Sequence, residues 1–203
     1  MHAGICDASM WDGFDVPGEL VRHQLPAALD DSFAGESASL VGNSFGGLVS
    51  VDFAARRPEL VTRLVLLDAA LPDHDFSDEL EEYALEEERL LDAGDVDAAV
   101  ELNLRFWCPG VADRVRPMVA GALEWEGEGP DTIDLSAVRA PTLVAVGEYD
   151  KPDFHVIAER LAREIPDAEL VVIPGAGHLP SIERPDEAAA LVRRFLQEPS
   201  TAL

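Results

Sequence analysis

One segment constrains the fold more than any other: residues 38–59, with the sequence ASLVGNSFGGLVSVDFAARRPE. Its apolar start has the composition of a buried strand, and the stretch after GNSFGG is amphipathic up to Pro58. A strand that meets a helix through a short glycine-rich turn is typical of a βα unit. Gly42 and Gly46 leave room for a sharp turn that raises the side chain of Ser44 clear of the sheet.

Short apolar runs of the same kind recur along the chain. They are rich in valine and leucine and hardly alternate with polar residues, which indicates strands buried on both faces of a parallel sheet. We predict strands at residues 19–25, 38–42, 62–68, 141–147 and 168–175. Helical patterns lie between most of them, at residues 45–57, 154–165 and 185–197. Strands that alternate with helices predict an α/β fold with right-handed βαβ crossovers.

The alternation breaks between residues 72 and 137, where we predict no strand. A helix is expected after Ser77, which suits an N-cap, and Gly94 marks its end. Two more helical patterns follow, and Pro117 is expected to interrupt the second. An all-helical block between two strands predicts an inserted cap, or lid, over the strand ends. We therefore divide the chain into an α/β core, residues 1–71 and 138–203, and a helical cap, residues 72–137.

The charge of the chain limits its partners. It has 40 acidic residues against 15 lysines and arginines, and its formal net charge is −25 at pH 7. Such a surface repels nucleic acid and anionic membranes, so we predict neither as a partner. No apolar run reaches the length of a membrane span. The sequence leaves the oligomeric state open, a homodimer included.

The two cysteines and the N-terminal segment bear on location. Cys6 and Cys108 lie far apart in the sequence and lack the spacing of metal ligands, which fits a reducing compartment better than a disulfide framework. Residues 1–15, MHAGICDASMWDGFD, contain neither the basic nor the apolar region of a signal peptide. We therefore predict a cytoplasmic location.

Ser44 requires a base, because a serine hydroxyl is a poor nucleophile at neutral pH. Among the five histidines, His178 stands out on a loop directly after the last predicted strand. Asp150 follows the preceding strand and would hold the histidine in one tautomer. Asp68 also ends a predicted strand and is the alternative acid. The chain order Ser, Asp, His is typical of one class of serine hydrolases, and the N–H of Phe45 would lie near the developing oxyanion.

Five segments carry a resemblance to a known family. They are HAGICDASMWD (2–12), ASLVGNSFGG (38–47), LVLLD (64–68), PTLVAVGEYDKPDF (141–154) and VVIPGAGHLPSIERPDE (171–187). The chain resembles α/β-hydrolase fold proteins, in the group similar to 3-oxoadipate enol-lactonases and related esterases. The resemblance implies that a Ser-His-Asp triad cleaves a small carboxylic ester or lactone through an acyl-enzyme, with no metal and no organic cofactor. It also implies a second oxyanion N–H from a His-Gly-like turn, here Gly4, with Ile5 as the less favoured alternative.

Two pieces of that family's core have no counterpart in this sequence. The strands expected before the Gly4 turn are absent, and only a short segment separates the predicted strand at 19–25 from the next one. We therefore expect an N-terminally truncated or reduced hydrolase. Two alternatives stay open: a carbon–carbon bond hydrolase of the meta-cleavage type, whose nucleophile elbow GNSFGG also resembles, and a non-catalytic truncated relative.

Aromatic residues of the predicted cap are candidates for the substrate pocket. Phe106, Trp107 and Trp125 could line an apolar pocket, although packing of the cap onto the core explains each of them at least as well. Arg105 could meet a substrate carboxylate, as an enol-lactone requires, but a surface ion pair with a cap glutamate is the favoured interpretation. The sequence predicts a small-molecule substrate and does not name its acyl group or alcohol.

Overall fold

The computed structural model describes residues 1–4, 6–16, 36–123 and 129–197. Within these ranges, four parallel strands form one sheet in the order β1-β2-β3-β4. The strands are β1 (Ala38–Asn43), β2 (Val61–Leu67), β3 (Thr142–Gly147) and β4 (Ala168–Ile173). The parallel sheet with its connecting helices confirms the predicted α/β fold.

Seven α-helices occur in the described part of the chain. They are α1 (Phe45–Arg56), α2 (Asp78–Asp92), α3 (Val96–Trp107), α4 (Ala112–Ala122), α5 (Pro152–Glu164), α6 (Pro180–Glu183) and α7 (Pro185–Gln197). Three short 3-10 helices lie at Ala8–Trp11, Pro58–Leu60 and Leu135–Ala137. Helix α1 joins β1 to β2 and α5 joins β3 to β4, so both connections are βαβ crossovers.

The register of the sheet brings the carboxyl ends of its strands to one edge. Asn43 of β1 lies opposite Leu67 of β2, which in turn lies opposite Ala145 of β3. Gly147, the last residue of β3, lies opposite Ile173 at the end of β4. The residues that follow these strands therefore meet at one edge, where open α/β sheets bind their ligands.

The two faces of the sheet bury separate apolar clusters. Leu64 and Leu66 of β2 belong to the cluster that contains residues of α1 and α5. Val65 and Leu67 belong to the cluster that contains residues of α7 and of the N-terminal segment. All four side chains are fully buried. Burial on both faces explains why the sequence of this strand does not alternate between apolar and polar residues.

Helices α2, α3 and α4 lie between β2 and β3, where the sequence predicts an all-helical insertion. Helix α2 begins directly after Ser77, but the Ser77 side chain makes no capping hydrogen bond to it. The hydroxyl donates instead to Asp153 Oδ2 at 2.8 Å, and the Ser77 N–H donates to Asp153 Oδ1 at 2.8 Å. Ser77 is therefore the N-cap residue, as predicted, but its hydroxyl bonds to the carboxylate of Asp153, a stronger partner, instead of to the helix.

Pro117 lies inside α4 and does not interrupt it, since the helix runs over Ala112–Ala122. A proline has no backbone N–H, so it cannot donate to the carbonyl of Asp113 one turn earlier. Val115 and Val119 lie on either side of Pro117 and are completely buried. The predicted interruption is wrong, because the packing of this face stabilises the helix against the loss of one hydrogen bond.

The N-terminal segment lies beside β1. The backbone nitrogen of Met1 donates to the carbonyl of Val41 at 2.6 Å, and the Asn43 N–H donates to the carbonyl of Met1 at 3.3 Å. This pairing carries the following residues, His2 to Gly4, to the carboxyl end of β1. The turn that the sequence singles out around Gly4 therefore reaches the edge of the sheet at which Ser44 lies.

Several predictions fall outside the described residues. They are the strand at residues 19–25, the end of the third cap helix with Trp125, and the alternative oxyanion donor Ile5. Cys6 and Cys108 are described, and both are buried free thiols. Among the helices that the structure describes, none is long and apolar enough to cross a membrane.

Candidate active site

Ser44 stands between β1 and α1 in a strained backbone conformation. Its φ is 53° and its ψ is −119°, a region that residues with a side chain rarely adopt. The Ser44 N–H donates to the carbonyl of Leu67 at 2.9 Å, and the Ser44 carbonyl accepts from the N–H groups of Leu48 and Ala70, each at 3.1 Å. Bonds to α1, to β2 and to the segment after β2 therefore hold the strained turn in place.

Two glycines make this turn sterically feasible. A Cβ atom on Gly42 would lie 2.3 Å from the carbonyl oxygen of Gly46. A Cβ atom on Gly46 would lie 2.3 Å from the carbonyl oxygen of His2. Both contacts are with backbone atoms, which cannot move aside easily. The glycines flanking Ser44 are therefore required by the close approach of α1 to β1 and to the N-terminal segment.

His178 lies next to Ser44 on the loop after β4. Its Nε2 is 2.9 Å from Ser44 Oγ, and its Nδ1 is 2.9 and 3.0 Å from the two carboxylate oxygens of Asp150. His178 is 4% exposed and Asp150 is 9% exposed. The structure thus brings together the three residues that the sequence nominates for a triad, and their catalytic roles stay predictions.

Two aromatic rings fix the orientation of the His178 imidazole. The ring centroid of Trp107 lies 4.4 Å from that of His178, and the ring centroid of Phe154 lies 4.4 Å away as well. The rings shield the hydrogen bonds of the imidazole from water, which strengthens them. Phe154 was not predicted from the sequence, because its position on α5 gives no sign that it reaches the histidine.

Glu183 holds the backbone on both sides of His178. Its Oε2 accepts from the N–H of Gly177 at 2.7 Å, and its Oε1 accepts from the N–H of Leu179 at 2.9 Å. Asn43 adds a third tie, because its Nδ2 donates to the carbonyl of His178 at 3.2 Å. Neither Glu183 nor Asn43 was predicted from the sequence as part of the site. Their positions, one before the serine and five after the histidine, are the signal that could have identified them.

Asp68, the alternative acid, does not bond to the histidine. It is 1% exposed, and its Oδ1 accepts from the N–H of Gly147 at 2.7 Å. Burial raises the pKa of Asp68 well above its usual value, and the neighbouring charge of Asp150 raises it further. Burial also opposes ionisation of Asp150, but the charge and hydrogen bond of His178 outweigh it and lower the pKa of Asp150. Of this carboxyl pair, Asp68 therefore favours the neutral form and Asp150 the charged form.

Asp68, Asp150 and His178 also form a group of described side chains that could hold a metal ion, with one donor atom from each lying within 4.8 Å of the others. In this structure Asp150 and His178 are hydrogen-bonded to each other, and Asp68 bonds to Gly147. Asp150 and His178 therefore form a chain that leads to Ser44, and Asp68 lies outside it. Such a chain suits proton transfer from a hydroxyl.

The candidate oxyanion donors lie side by side. Phe45 is the first residue of α1, where the partial positive charge of the helix favours a negative ligand. Gly4 lies against it, because a Cβ atom on Gly4 would be 3.6 Å from Phe45 Cβ. Gly4 also lines the same cavity as Ser44. The predicted pair is thus adjacent, and its role at an oxyanion stays a prediction.

A cavity of about 280 Å³ opens onto Ser44 and His178. Helix α2 contributes Tyr83 and Glu87 to its wall, and α3 contributes Trp107. Of the aromatic residues predicted for a pocket, Trp107 therefore lines the cavity. Phe106 lies outside the lining and stacks on the ring of Tyr83 at 4.2 Å.

The sequence matches a model of the alpha/beta hydrolase family over residues 7–191. It is 27% identical to carboxylesterase YbfK of Bacillus subtilis (strain 168) over 184 residues. This alignment covers 82% of this chain and 60% of the relative. It is 33% identical to a 2-hydroxymuconate semialdehyde hydrolase of Pseudomonas sp. (strain CF600) over 187 residues. This second alignment covers 85% of this chain and 66% of the relative. The chain thus spans less than two thirds of the length of these curated relatives.

Solved structures share the fold. A thermophilic esterase from Thermogutta terrifontis superposes with a TM-score of 0.68 at 26% identity, over 97% of this chain and 87% of that one. The enol-lactonase from Burkholderia xenovorans LB400 superposes with a TM-score of 0.70 at 21% identity, over 97% and 89%, a likeness that indicates the fold alone. The resemblance seen in the sequence motifs is confirmed: this chain belongs to the alpha/beta hydrolase family.

Proposed function

We propose that this chain hydrolyses a small carboxylic ester or lactone, with Ser44 as the nucleophile. The observation that carries the proposal is the distance of 2.9 Å between Ser44 Oγ and His178 Nε2, with Asp150 on the far side of the imidazole. A serine, a base and an acid in this order are the groups that acyl transfer requires. The strained conformation of Ser44 adds support, because strain of this kind is typical of a nucleophile elbow.

The first half of the reaction forms an acyl-enzyme. His178 Nε2 takes the proton of the Ser44 hydroxyl while Oγ attacks the carbonyl carbon of the substrate. The carbonyl oxygen becomes an oxyanion, which the N–H groups of Phe45 and Gly4 would stabilise. The imidazolium then gives its proton to the leaving alkoxide as the carbon–oxygen bond breaks. An ester thus releases a neutral alcohol, whereas a lactone opens to a neutral hydroxyl that stays on the acyl group.

Water completes the reaction. His178 takes a proton from a water molecule, whose oxygen attacks the acyl carbon, and then returns that proton to Ser44 Oγ. Asp150 keeps the other imidazole proton on Nδ1 and stabilises the cation in both halves, which its lowered pKa permits. The product is a carboxylic acid, and the enzyme regains its starting protonation state.

The predicted cap, residues 72–137, would act as a lid over this site. Helices α2 and α3 supply Tyr83, Glu87 and Trp107 to the wall of the cavity, which supports that role. A volume of about 280 Å³ lies at the low end for ligand pockets and favours a small substrate. The cytoplasmic location stays a prediction, and the oligomeric state stays open.

Carbon–carbon bond hydrolysis is a second candidate function. It is supported by the identity of 33% to a 2-hydroxymuconate semialdehyde hydrolase. The same nucleophile and base would serve either reaction. The two candidates differ in the bond that breaks. Turnover of a ring-cleavage dienoate at a higher kcat/KM than any simple ester would favour the second candidate.

Replacement of Ser44 by alanine tests the nucleophile. Ser44→Ala should reduce hydrolysis of p-nitrophenyl acetate by about 10³-fold or more, because no other described hydroxyl bonds to His178 Nε2. Ser39→Ala is the matched control, since Ser39 is exposed on the same strand and bonds to Thr62. Equal rates for wild type and Ser44→Ala would contradict the assignment, and an inactive wild type that is folded would support the non-catalytic alternative.

A further inference from the structure

The cavity beside Ser44 contains a carboxylate that the proposed reaction does not use. Glu87 lies on α2, one turn after Tyr83, and both residues line the cavity together with Ser44 and His178. A carboxylate at the wall of a small pocket puts a negative charge close to any bound substrate. Its effect is therefore on which substrate the pocket accepts.

Neutral groups hold Glu87 in place on one side. The Tyr83 hydroxyl lies 2.9 Å from Glu87 Oε1, and Nδ2 of the buried Asn103 donates to the same oxygen. Burial raises the pKa of Tyr83, and the charge of Glu87 raises it further, so the phenol stays neutral. Among the described residues, Glu87 Oε2 receives no hydrogen bond. One oxygen is thus fixed by the protein, while the other is left for a donor or a cation in the cavity.

No basic side chain neutralises this charge within the part of the chain that the structure describes. No lysine or arginine lines the cavity there. Arg89, on the same helix, pairs with Glu86 at 2.6 Å, and Lys151 pairs with Glu79 at 2.5 Å. Arg105, considered from the sequence for a substrate carboxylate, is exposed on α3 and does not line the cavity.

Aromatic rings accompany the carboxylate. Trp107 lines the cavity beside Tyr83, and their ring centroids are 5.3 Å apart in an edge-to-face arrangement. Aromatic faces attract ammonium groups, and this attraction strengthens when water is excluded. A carboxylate next to such rings is the combination that recognises an organic cation.

We propose that Glu87, with the rings of Tyr83 and Trp107, selects esters or lactones that carry an ammonium group and rejects those that carry a carboxylate. This inference rests on the proposed ester hydrolysis at Ser44 and narrows its substrate class. A carboxylate-bearing lactone of the enol-lactone type would place two negative charges in a cavity of about 280 Å³. The pocket therefore differs in specificity from the enol-lactonases that the sequence motifs resemble.

Three p-nitrophenyl esters of equal acyl length test the proposal. Their acyl chains end in a trimethylammonium, a tert-butyl or a carboxylate group. The first two groups have nearly the same shape, and each of the three carries a different charge. Wild-type kcat/KM should fall in that order, by about tenfold at each step, because each step changes the substrate by one unit of charge beside Glu87 in a partly screened site. Glu87→Gln should lower the ratio of the cationic to the anionic rate about tenfold or more. A wild type that prefers the carboxylate ester, or a ratio unchanged by Glu87→Gln, overturns the proposal.

Two further measurements keep this outcome separate from the chemistry at Ser44. Glu88→Gln removes the same charge from the next position, which is exposed and does not line the cavity, and should leave all three rates unchanged. Calorimetric titration of Ser44→Ala with each ester compares binding without turnover. If no ester is hydrolysed but the cationic one binds most tightly, the reaction proposal fails and the charge selection stands. If all three esters are hydrolysed at equal kcat/KM, the reaction proposal stands and the proposed charge selection fails.

Discussion

Asp150→Asn offers the sharpest test of the proton chain. Both oxygens of Asp150 contact His178 Nδ1, at 2.9 and 3.0 Å, so the imidazole carries its proton on Nδ1 and turns the lone pair of Nε2 toward Ser44. An asparagine can present its NH₂ group to Nδ1, which favours the opposite tautomer. Nε2 then bears a proton and cannot accept another from Ser44. In serine hydrolases the wrong tautomer lowers kcat about 10⁴-fold, which corresponds to about 5.5 kcal/mol in the barrier.

Asp68→Asn is the matched control for Asp150→Asn. It makes the same chemical change in the same buried carboxyl pair, but Asp68 bonds to Gly147 rather than to the histidine. Because the raised pKa of Asp68 favours its neutral form, its replacement by a neutral amide should lower kcat by less than about tenfold. The assay is steady-state hydrolysis of p-nitrophenyl acetate, with far-UV circular dichroism as the check on folding. A folded Asp150→Asn variant with near wild-type kcat, beside an inactive Asp68→Asn variant, would refute this account.

Three other predictions follow from the same contacts. Glu183→Gln should lower kcat about tenfold and the free energy of unfolding by about 1–3 kcal/mol, because one of two backbone N–H groups beside His178 loses its acceptor. Steady-state kinetics measures the first effect and urea unfolding the second. An unchanged kcat would contradict the positioning role of Glu183. Asp68→Asn should become more stable relative to wild type as pH rises. The raised pKa of Asp68 in the folded state means that wild type loses stability above about pH 4, where the unfolded carboxyl ionises, and the amide removes that loss. A difference in unfolding free energy that stays constant between about pH 4.5 and pH 7.5 would be inconsistent with a protonated Asp68. Gly46→Ala should reduce both activity and stability, since its Cβ would lie 2.3 Å from the His2 carbonyl oxygen. The control is Gly121→Ala on α4, whose Cβ would meet nothing within 4 Å and which should stabilise the helix by about 0.5–1 kcal/mol. Thermal unfolding and ester hydrolysis of the two variants decide this, and equal behaviour would count against the close approach at Gly46.

Local patterns in the sequence were sufficient for most of the fold. Strands β1 to β4 could be predicted from their valine- and leucine-rich runs, and the helices from their regular apolar spacing. The expectation that every strand is buried on both faces is wrong for β4, where Leu170 and Val172 are 39% and 47% exposed. Tertiary contacts override two local rules, the side-chain hydrogen bond of an N-cap serine and the break at a proline. Ser77 bonds to Asp153 on α5, and Pro117 stays helical because its neighbours are buried. Neither competing contact can be inferred from the residues next to it.

The residues of the candidate site likewise divide into those that could be predicted from the sequence and those that could not. Ser44, Asp150 and His178 could be brought together from the sequence because carboxyl ends of parallel strands meet at one edge. Glu183 and Asn43 could not, since their partners are backbone groups whose positions only the folded chain defines. The same limit applied to the cavity wall. Adjacent residues of a helix point in different directions, and the sequence could not say which aromatic residue of α3 would face Ser44.

The central claim is that Ser44 is an activated nucleophile, and reaction with a fluorophosphonate probe tests it most directly. The probe forms a covalent bond with an activated serine whatever its natural substrate, and peptide mass spectrometry locates the adduct. We predict one adduct on wild type, on the peptide that contains Ser44, with none on Ser44→Ala and much slower labelling of Asp150→Asn. A folded wild type that stays unlabelled, or a label that persists on Ser44→Ala, would contradict the account.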